Sequence, residues 1–419
     1  MRISSLQIFN IANNSMANAS EAIAETQAQL STGRRVLRPS DDPVASTKIL
    51  SLTEELATTE QYKKNINIAK NDLVIEEATL DASLNVLQRI QELAVQAGNT
   101  ATLSPSEYKS LADEVDARLD EMRNLLNTQN ASGDFIFGGY KSTSEPFVGD
   151  ASRGFRYMGD EGQKFIKVAN NTFVPSSDSG KAIFVDVESE RANIQTYAGT
   201  ANRSQPPAQI SIGTVTDRET FDAFAPKDMV LTFNQDSAVV PAAKNFTVTE
   251  RATGRVIIAN QVYNPGEDII ASGVSIRITG NPTSATPTQV GDRFFIESTD
   301  KQDVLTTMAR FSEAMRNVDG SSEKRIVLTE TINDTLQNLK FAQTSILEVT
   351  SKIGARFNTL ESTEELHTDS SVVLQELLSE LRDVNYAEAS TKLSSQTLIL
   401  QAAQASFIRV SQLSLFTQL

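Results

Sequence analysis

Cysteine is absent from all 419 residues, which removes disulfides, thiolate nucleophiles and cysteine-ligated metals together. Tryptophan is absent as well, and aromatics make up only 6% of a chain rich in Ala, Ser, Gln, Asn and Thr, a balance that favours long solvated helices over a dense enzyme core. The single histidine, His367, cannot build a histidine metal site alone and rules out the two-histidine zinc motif H-E-x-x-H. No phosphate-binding G-x-x-x-x-G-K-[ST] run, no G-x-G-x-x-G turn and no G-x-S-x-G elbow occurs. The Gly-Lys pair of "DSGKAIF" (178–184) lacks phosphate-loop spacing and reads as a hairpin turn. No apolar run approaches the roughly 18 residues of a membrane span, so no membrane insertion is expected. The start, "MRISSLQIFNIANNSMANAS", lacks the basic and continuous apolar regions of a cleaved secretory signal, so any export is expected to use another route.

What is present is length and an uneven charge. A chain of this length predicts two or three domains. The net charge of −15 argues against nucleic acid as a partner. Residues 1–40 hold +2 and residues 386–419 hold +1, which leaves −18 on the interior. Nearly uncharged ends around an acidic middle are the pattern expected if other chains cover the ends.

The apolar periodicity is helical at both ends. Phe9, Ala12, Met16, Ala19, Ile23, Thr26 and Leu30 form a narrow heptad seam. Ile66, Leu73, Leu80, Leu87 and Ala94 repeat every seven residues in the next segment, and Leu111, Val115, Leu119, Met122 and Leu126 follow "LSPSE". From about residue 135 the period becomes two, as in Ile183, Val185, Val187 and in Val274, Ile276, Ile278, with turn signals between. Helix returns near Val304; Ile332, Leu339, Ile346, Ile353 and Leu360 form a long stripe, and the last helix carries Leu393, Leu400, Ala403, Phe407 and Val410.

The expected fold is therefore α+β, with long terminal helices and a helical bundle built from both chain ends around an inserted β-rich region. Its segments are a terminal helix 1–40 pairing with 380–419, a helical body 41–134 pairing with 303–379, and two β-rich units, 135–204 and 205–302, split near "RSQPPAQ". The terminal seams are narrow and rich in small residues, so Phe9, Met16, Ile23, Leu30, Leu393, Leu400, Phe407 and Val410 are the candidate assembly surface.

Between the first two helices lies "STGRRVLRPSDDPVAS" (31–46). Paired carboxylates can do acid–base work, but Asp41 and Asp42 are consecutive rather than opposed across a cleft. Gly33 suits a helix stop, Asp42 an N-cap and Pro43 the first helical position, so the stretch reads as a joint. Arg34, Arg35 and Arg38 are expected to meet acidic residues or neighbouring chains. His367, within polar "ESTEELHTDSS", is expected in solvent.

"QLSTGRRVLRPSDDPVAS" (29–46) resembles the N-terminal signature of the bacterial flagellin superfamily, and residues 383–419 resemble its C-terminal partner. Within the superfamily, "MRIS", "GDFIFGGYKSTSEPF" (133–147), "YMGDEGQ" (157–163) and "SQLSLF" (411–416) are similar to the hook-associated protein 3 family, whereas filament flagellin usually has none of the four. "SGVSIRITGNP" followed by "GDRFFI" resembles a β-element of hook-associated proteins, here with a longer "TSATPTQV" linker. The resemblance implies a structural, non-enzymatic protein without cofactor or metal, exported unfolded by the flagellar type III apparatus. It also implies assembly as a ring of neighbouring copies between hook-associated protein 1 and flagellin on the extracellular flagellum, with a cytoplasmic export chaperone bound to the C-terminal region. The near alternative is a filament flagellin subunit. A flagellin relative with a central protease would need a metal-ligand set that this sequence lacks.

Overall fold

Three helices, a strand-rich centre and three further helices follow one another in the computed structural model, which describes residues 5–99, 103–151 and 154–416. The fold is α+β. Helices α1 (Ser5–Thr32), α2 (Pro43–Ala97) and α3 (Pro105–Leu126) precede the centre, and α5 (Val304–Arg316), α6 (Ser322–Arg382) and α7 (Tyr386–Phe416) follow it; α4 (Arg218–Phe224) lies within it. The chain divides into two compact units, one of residues 1–66, 168–170 and 361–419 and the other of 67–167 and 171–360, so α2 and α6 contribute to both.

In the second unit the heptad residues Leu73, Leu80, Leu87 and Ala94 of α2 are fully buried, as are Ile346, Ile353 and Leu360 of α6. Their spacing of seven keeps one helix face toward the core. The α6 stripe is interrupted where Gln343 donates to Gln91 on α2 at 3.3 Å. Ser104 starts α3 with a capping box, its N–H donating to Glu107 Oε2 at 2.7 Å and its hydroxyl accepting the Glu107 N–H, which satisfies two otherwise orphan donors. Arg316 of α5 reaches Asp113 and Asp116 of α3 at 2.5 and 2.6 Å.

The β-region of the same unit is antiparallel. One sheet has the order Val256–Val262 (β10), Asn245–Glu250 (β9), Met229–Phe233 (β8), Arg293–Lys301 (β13) and Glu188–Ala198 (β5); the other has Asp268–Ala271 (β11), Val274–Thr279 (β12) and Gln209–Ile210 (β6), with Thr214–Val215 (β7) also paired to β12. Alternate residues such as Met229, Leu231 and Phe233 point inward to meet Phe246, Val248, Ile276, Ile278 and Phe294. Two small hairpins, Phe147–Asp150 with Gly154–Tyr157 (β1–β2) and Phe165–Lys167 with Phe173–Pro175 (β3–β4), stand apart from these sheets.

Arg310 of α5 fastens the sheets to the helices. It is only 8% exposed, and its guanidinium donates to the carbonyls of Gly213 (2.9 Å) and Ile212 (3.1 Å), to that of Ile194, and to Gln302 Oε1 (2.7 Å). Burial pulls its pKa down to about 10, against the opposing charges of Asp303 and Glu313. A second tie is the ion pair between Arg218 of α4 and Asp334 of α6.

The segments 133–147 and 157–163 lie against each other. Asp160 accepts the N–H groups of Tyr140 (2.8 Å) and Gly162 (2.9 Å), and the Tyr157 hydroxyl donates to Phe137 O at 2.7 Å. Gly139 sits at φ +68° where an added Cβ would fall 2.3 Å from Asp160 Oδ1, so only glycine permits the approach.

The structure corrects the expectations at three places. Residues 183–187 are no alternating strand, nor is "DSGKAIF" a hairpin turn: Lys181–Val185 form one wide helical turn, in which the consecutive Ile183 and Phe184 are both buried. Gly180, just before this turn, packs on Phe137 and Phe147 so closely that an added Cβ would fall 2.9 Å from both. The split near residue 204 runs through a single sheet, because β5 pairs with β13 along most of its length.

The third correction is His367, which is 9% exposed rather than in solvent. Its Nε2 lies 2.7 Å from Val168 O, and its ring stacks on Tyr62 at 5.4 Å. It occupies the heptad place between Leu360 and Leu374, so its face of α6, not its polar neighbours, decides its burial.

Candidate assembly site

Helices α1 and α7 pair along their length, although they come from opposite ends of the chain. Thr26, nearly fully buried, donates to Gln396 Oε1 of α7 at 2.9 Å as well as to Ala22 O. Met16, Ile23 and Leu30 on α1, and Leu393, Leu400 and Phe407 on α7, are each half-buried. Half-burial contributes roughly half of the about 1.5–3 kcal/mol that a fully buried aliphatic side chain supplies. The side chains of Phe9 and Val410 lie outside the described residues. On the other faces Ile11, Leu398, Ile399 and Ile408 stand more than half exposed, an apolar surface on helices that carry few charges.

The joint between α1 and α2 is built on main-chain contacts with the break between α6 and α7. Gly33, at φ +71°, ends α1, and an added Cβ would approach the Tyr386 hydroxyl to 3.2 Å. The Arg35 N–H donates to Arg382 O at 2.7 Å, and the Val384 N–H donates to Gly33 O at 2.9 Å. Arg35 also pairs with Asp42 at 3.3 Å and donates to Leu381 O at 2.9 Å. Asp41 accepts the N–H groups of Leu37 and Arg38 at 3.2 and 2.7 Å, and Asp42 accepts that of Ala45 at 2.9 Å, ahead of Pro43 in the first turn of α2. That N–H holds the Asp42 carboxyl below its ordinary range, with Arg35 adding to the effect. Arg34 and Arg38 point to solvent and form no ion pair among the described residues.

These carboxylates accept main-chain N–H groups and, at Asp42, one arm of the Arg35 guanidinium, an arrangement that holds a turn. Among the described residues no three His, Asp or Glu side chains gather as a metal-ligand set, and no helix is long and apolar enough to cross a membrane. Sequence reasoning missed the α7 side of the joint. Asn385 accepts the Ala387 N–H at 3.2 Å and starts α7, a polar break in "RDVNYAE" that its cap-forming residue could have disclosed.

The bacterial flagellin N-terminal helical region matches residues 3–142. Flagellar hook-associated protein 3 of Salmonella typhimurium is 30% identical over 231 residues, 51% of this chain and 72% of that protein. The chain belongs to the flagellar hook-associated protein 3 family. The Escherichia coli flagellar hook-associated protein 3 is 33% identical over 35% of this chain and 46% of its own length. The crystal structure of flagellar hook-associated protein 3 from Legionella pneumophila superimposes with a TM-score of 0.52 at 28% identity, covering 80% of this chain and 98% of that one. This member of the flagellar hook-associated protein 3 family is a flagellin-like component of the bacterial flagellum, with α1 and the joint that follows it inside the residues matched by the flagellin N-terminal helical region.

Proposed function

We propose that the chain is the structural subunit that joins the hook, through hook-associated protein 1, to the flagellin filament. It leaves the cell through the flagellar type III apparatus, after release from a cytoplasmic export chaperone, and assembles outside the cell as a ring of copies. It performs no catalysis in that role. The observation that supports this best is that the two chain ends pair as α1 and α7 yet leave Ile11, Leu398 and Ile399 more than half exposed. Such residues gain most when further helices cover them, at about 25 cal/mol per Å² of apolar surface removed from water. The joint then sets the direction in which the helix pair leaves the body, and Arg34 and Arg38 remain available for acidic groups on neighbouring chains.

A deletion strain tests this. Hooks without filaments, with flagellin lost to the medium and both restored by the wild-type gene, are the expected result. Short or absent filaments with no such loss of flagellin would instead assign the chain the filament-subunit role.

A further inference from the structure

Two concavities of about 690 and 430 Å³ open between the β1–β2 hairpin and the end of β5, and they share Arg156, Ala198 and Thr200. They form one trough, each part within the range of about 300–1,000 Å³ usual for ligand sites. One wall is an aromatic ring that is already held still. Tyr197 stacks on Phe295 at 5.1 Å and 18°, its hydroxyl donates to Glu297, and the Arg251 guanidinium lies 5.3 Å from the Phe295 ring centre. A ring fixed before binding costs a ligand little ordering entropy.

The charged groups that line the larger part are hydrogen-bonded or ion-paired within the protein, with one exception. Asp160 accepts two main-chain N–H groups, Glu161 pairs with Lys181, and Asp303 accepts the Thr306 N–H at the start of α5. Arg156 is exposed and makes no ion pair or side-chain hydrogen bond among the described residues. Gln195 and Thr200 likewise bring to the trough an amide and a hydroxyl that bond to no other described side chain.

A ligand suited to this surface needs a planar anion for the guanidinium fork, a flat C–H face for the Tyr197 ring, and hydroxyls for the amide and the threonine. A bare phosphate would leave the ring unused, and an apolar molecule would leave three polar groups facing nothing. We propose that the trough binds an acidic sugar, a pyranose ring bearing a carboxylate.

The test uses the full-length chain and a tetrasaccharide of alternating glucuronate and N-acetylglucosamine, followed by calorimetry and saturation-transfer NMR. Neutral N-acetylglucosamine tetrasaccharide and a hexaglutamate peptide serve as comparison probes. Wild type is expected to bind the acidic tetrasaccharide, and Arg156→Gln to weaken it by about tenfold or more, as loss of a charge-assisted fork should. Because Arg156 is exposed, circular dichroism of that variant should match wild type. Tyr197→Leu should weaken binding independently. The assignment is overturned if wild type ignores the acidic tetrasaccharide, if the neutral sugar or the peptide binds as tightly, or if Arg156→Gln changes nothing.

Discussion

Asp178 donates its main-chain N–H to Glu76 Oε1 at 3.1 Å while its own carboxylate holds both arms of Arg356 at 2.7 and 2.9 Å. Gln163 adds a donor to Asp178 Oδ1. Asp178 alone therefore takes the guanidinium in the interior of the second unit, and Glu76, 1% exposed, keeps Oε2 without a hydrogen-bond partner. Burial, reinforced by the charge of Asp178 and opposed by Arg356, pushes the Glu76 carboxyl well above its ordinary range. A raised folded-state pKa means that the fold favours the protonated acid. That contribution is fully present below the unfolded value of about 4.3 and is lost as pH rises through the raised value. Glu76→Gln should flatten the fall in melting temperature that sets in as pH rises above that unfolded value, and should be the more stable protein once pH exceeds the raised value. Melting curves of both proteins across pH check it, and parallel curves would dismiss Glu76 as the titrating group.

Arg310 should be the costliest polar residue of the second unit to remove. Arg310→Met leaves the buried carbonyls of Gly213, Ile212 and Ile194 without their donor, at about 1–3 kcal/mol each, so a loss of at least about 3 kcal/mol is expected. Arg310→Lys should recover only part of it, since an ammonium cannot reach the same set of acceptors at once. Urea unfolding followed by circular dichroism measures both. A loss below about 1 kcal/mol for Arg310→Met would mean that the carbonyls find other donors.

Gly33→Ala places a side chain on a residue at φ +71°, at about 1–2 kcal/mol. The strain falls on the contacts between Gly33 and Val384 and between Arg35 and Arg382, so their amides should exchange with solvent faster than in wild type. Amides of α3 should be unaffected. Uniform acceleration along the chain would instead report global destabilisation.

The helical frame was legible because its signals are local. Leu73, Leu80 and Leu87 announce one face by spacing alone, and Gly33 with Pro43 brackets the joint without reference to anything distant. The β-region was harder, since strand pairing between β5 and β13 joins residues about a hundred positions apart and no local pattern records it. His367 was misread because its neighbours in sequence are polar, whereas Tyr62 and Val168, which cover it, come from far along the chain. The trough at Arg156 could not be anticipated at all: what distinguishes that arginine is the absence of a partner among the described residues, a property of the folded surroundings. Paired substitutions test which helix faces meet other chains.

The two kinds of apolar residue on α7 make that experiment decisive. Leu400 and Phe407 are half-buried, whereas Leu398 is 67% exposed. Leu400→Asp or Phe407→Asp puts a carboxylate where it is partly desolvated, and on α7 only Lys392 and Arg409 are cations. Each should loosen the α1–α7 pair in the isolated chain by about 1–2 kcal/mol, with a measurable loss of helix signal. Leu398→Asp should change the isolated chain by less than about 0.5 kcal/mol, because its side chain already faces water. If the bare face of α7 is where other subunits bind, Leu398→Asp nevertheless abolishes filament attachment while the protein is still secreted in normal amounts. Motility, secreted protein and circular dichroism, compared across the three variants, separate the two roles. Normal filaments on Leu398→Asp cells would show that this face stays in solvent after assembly, and loss of secretion in all three would point to chaperone recognition.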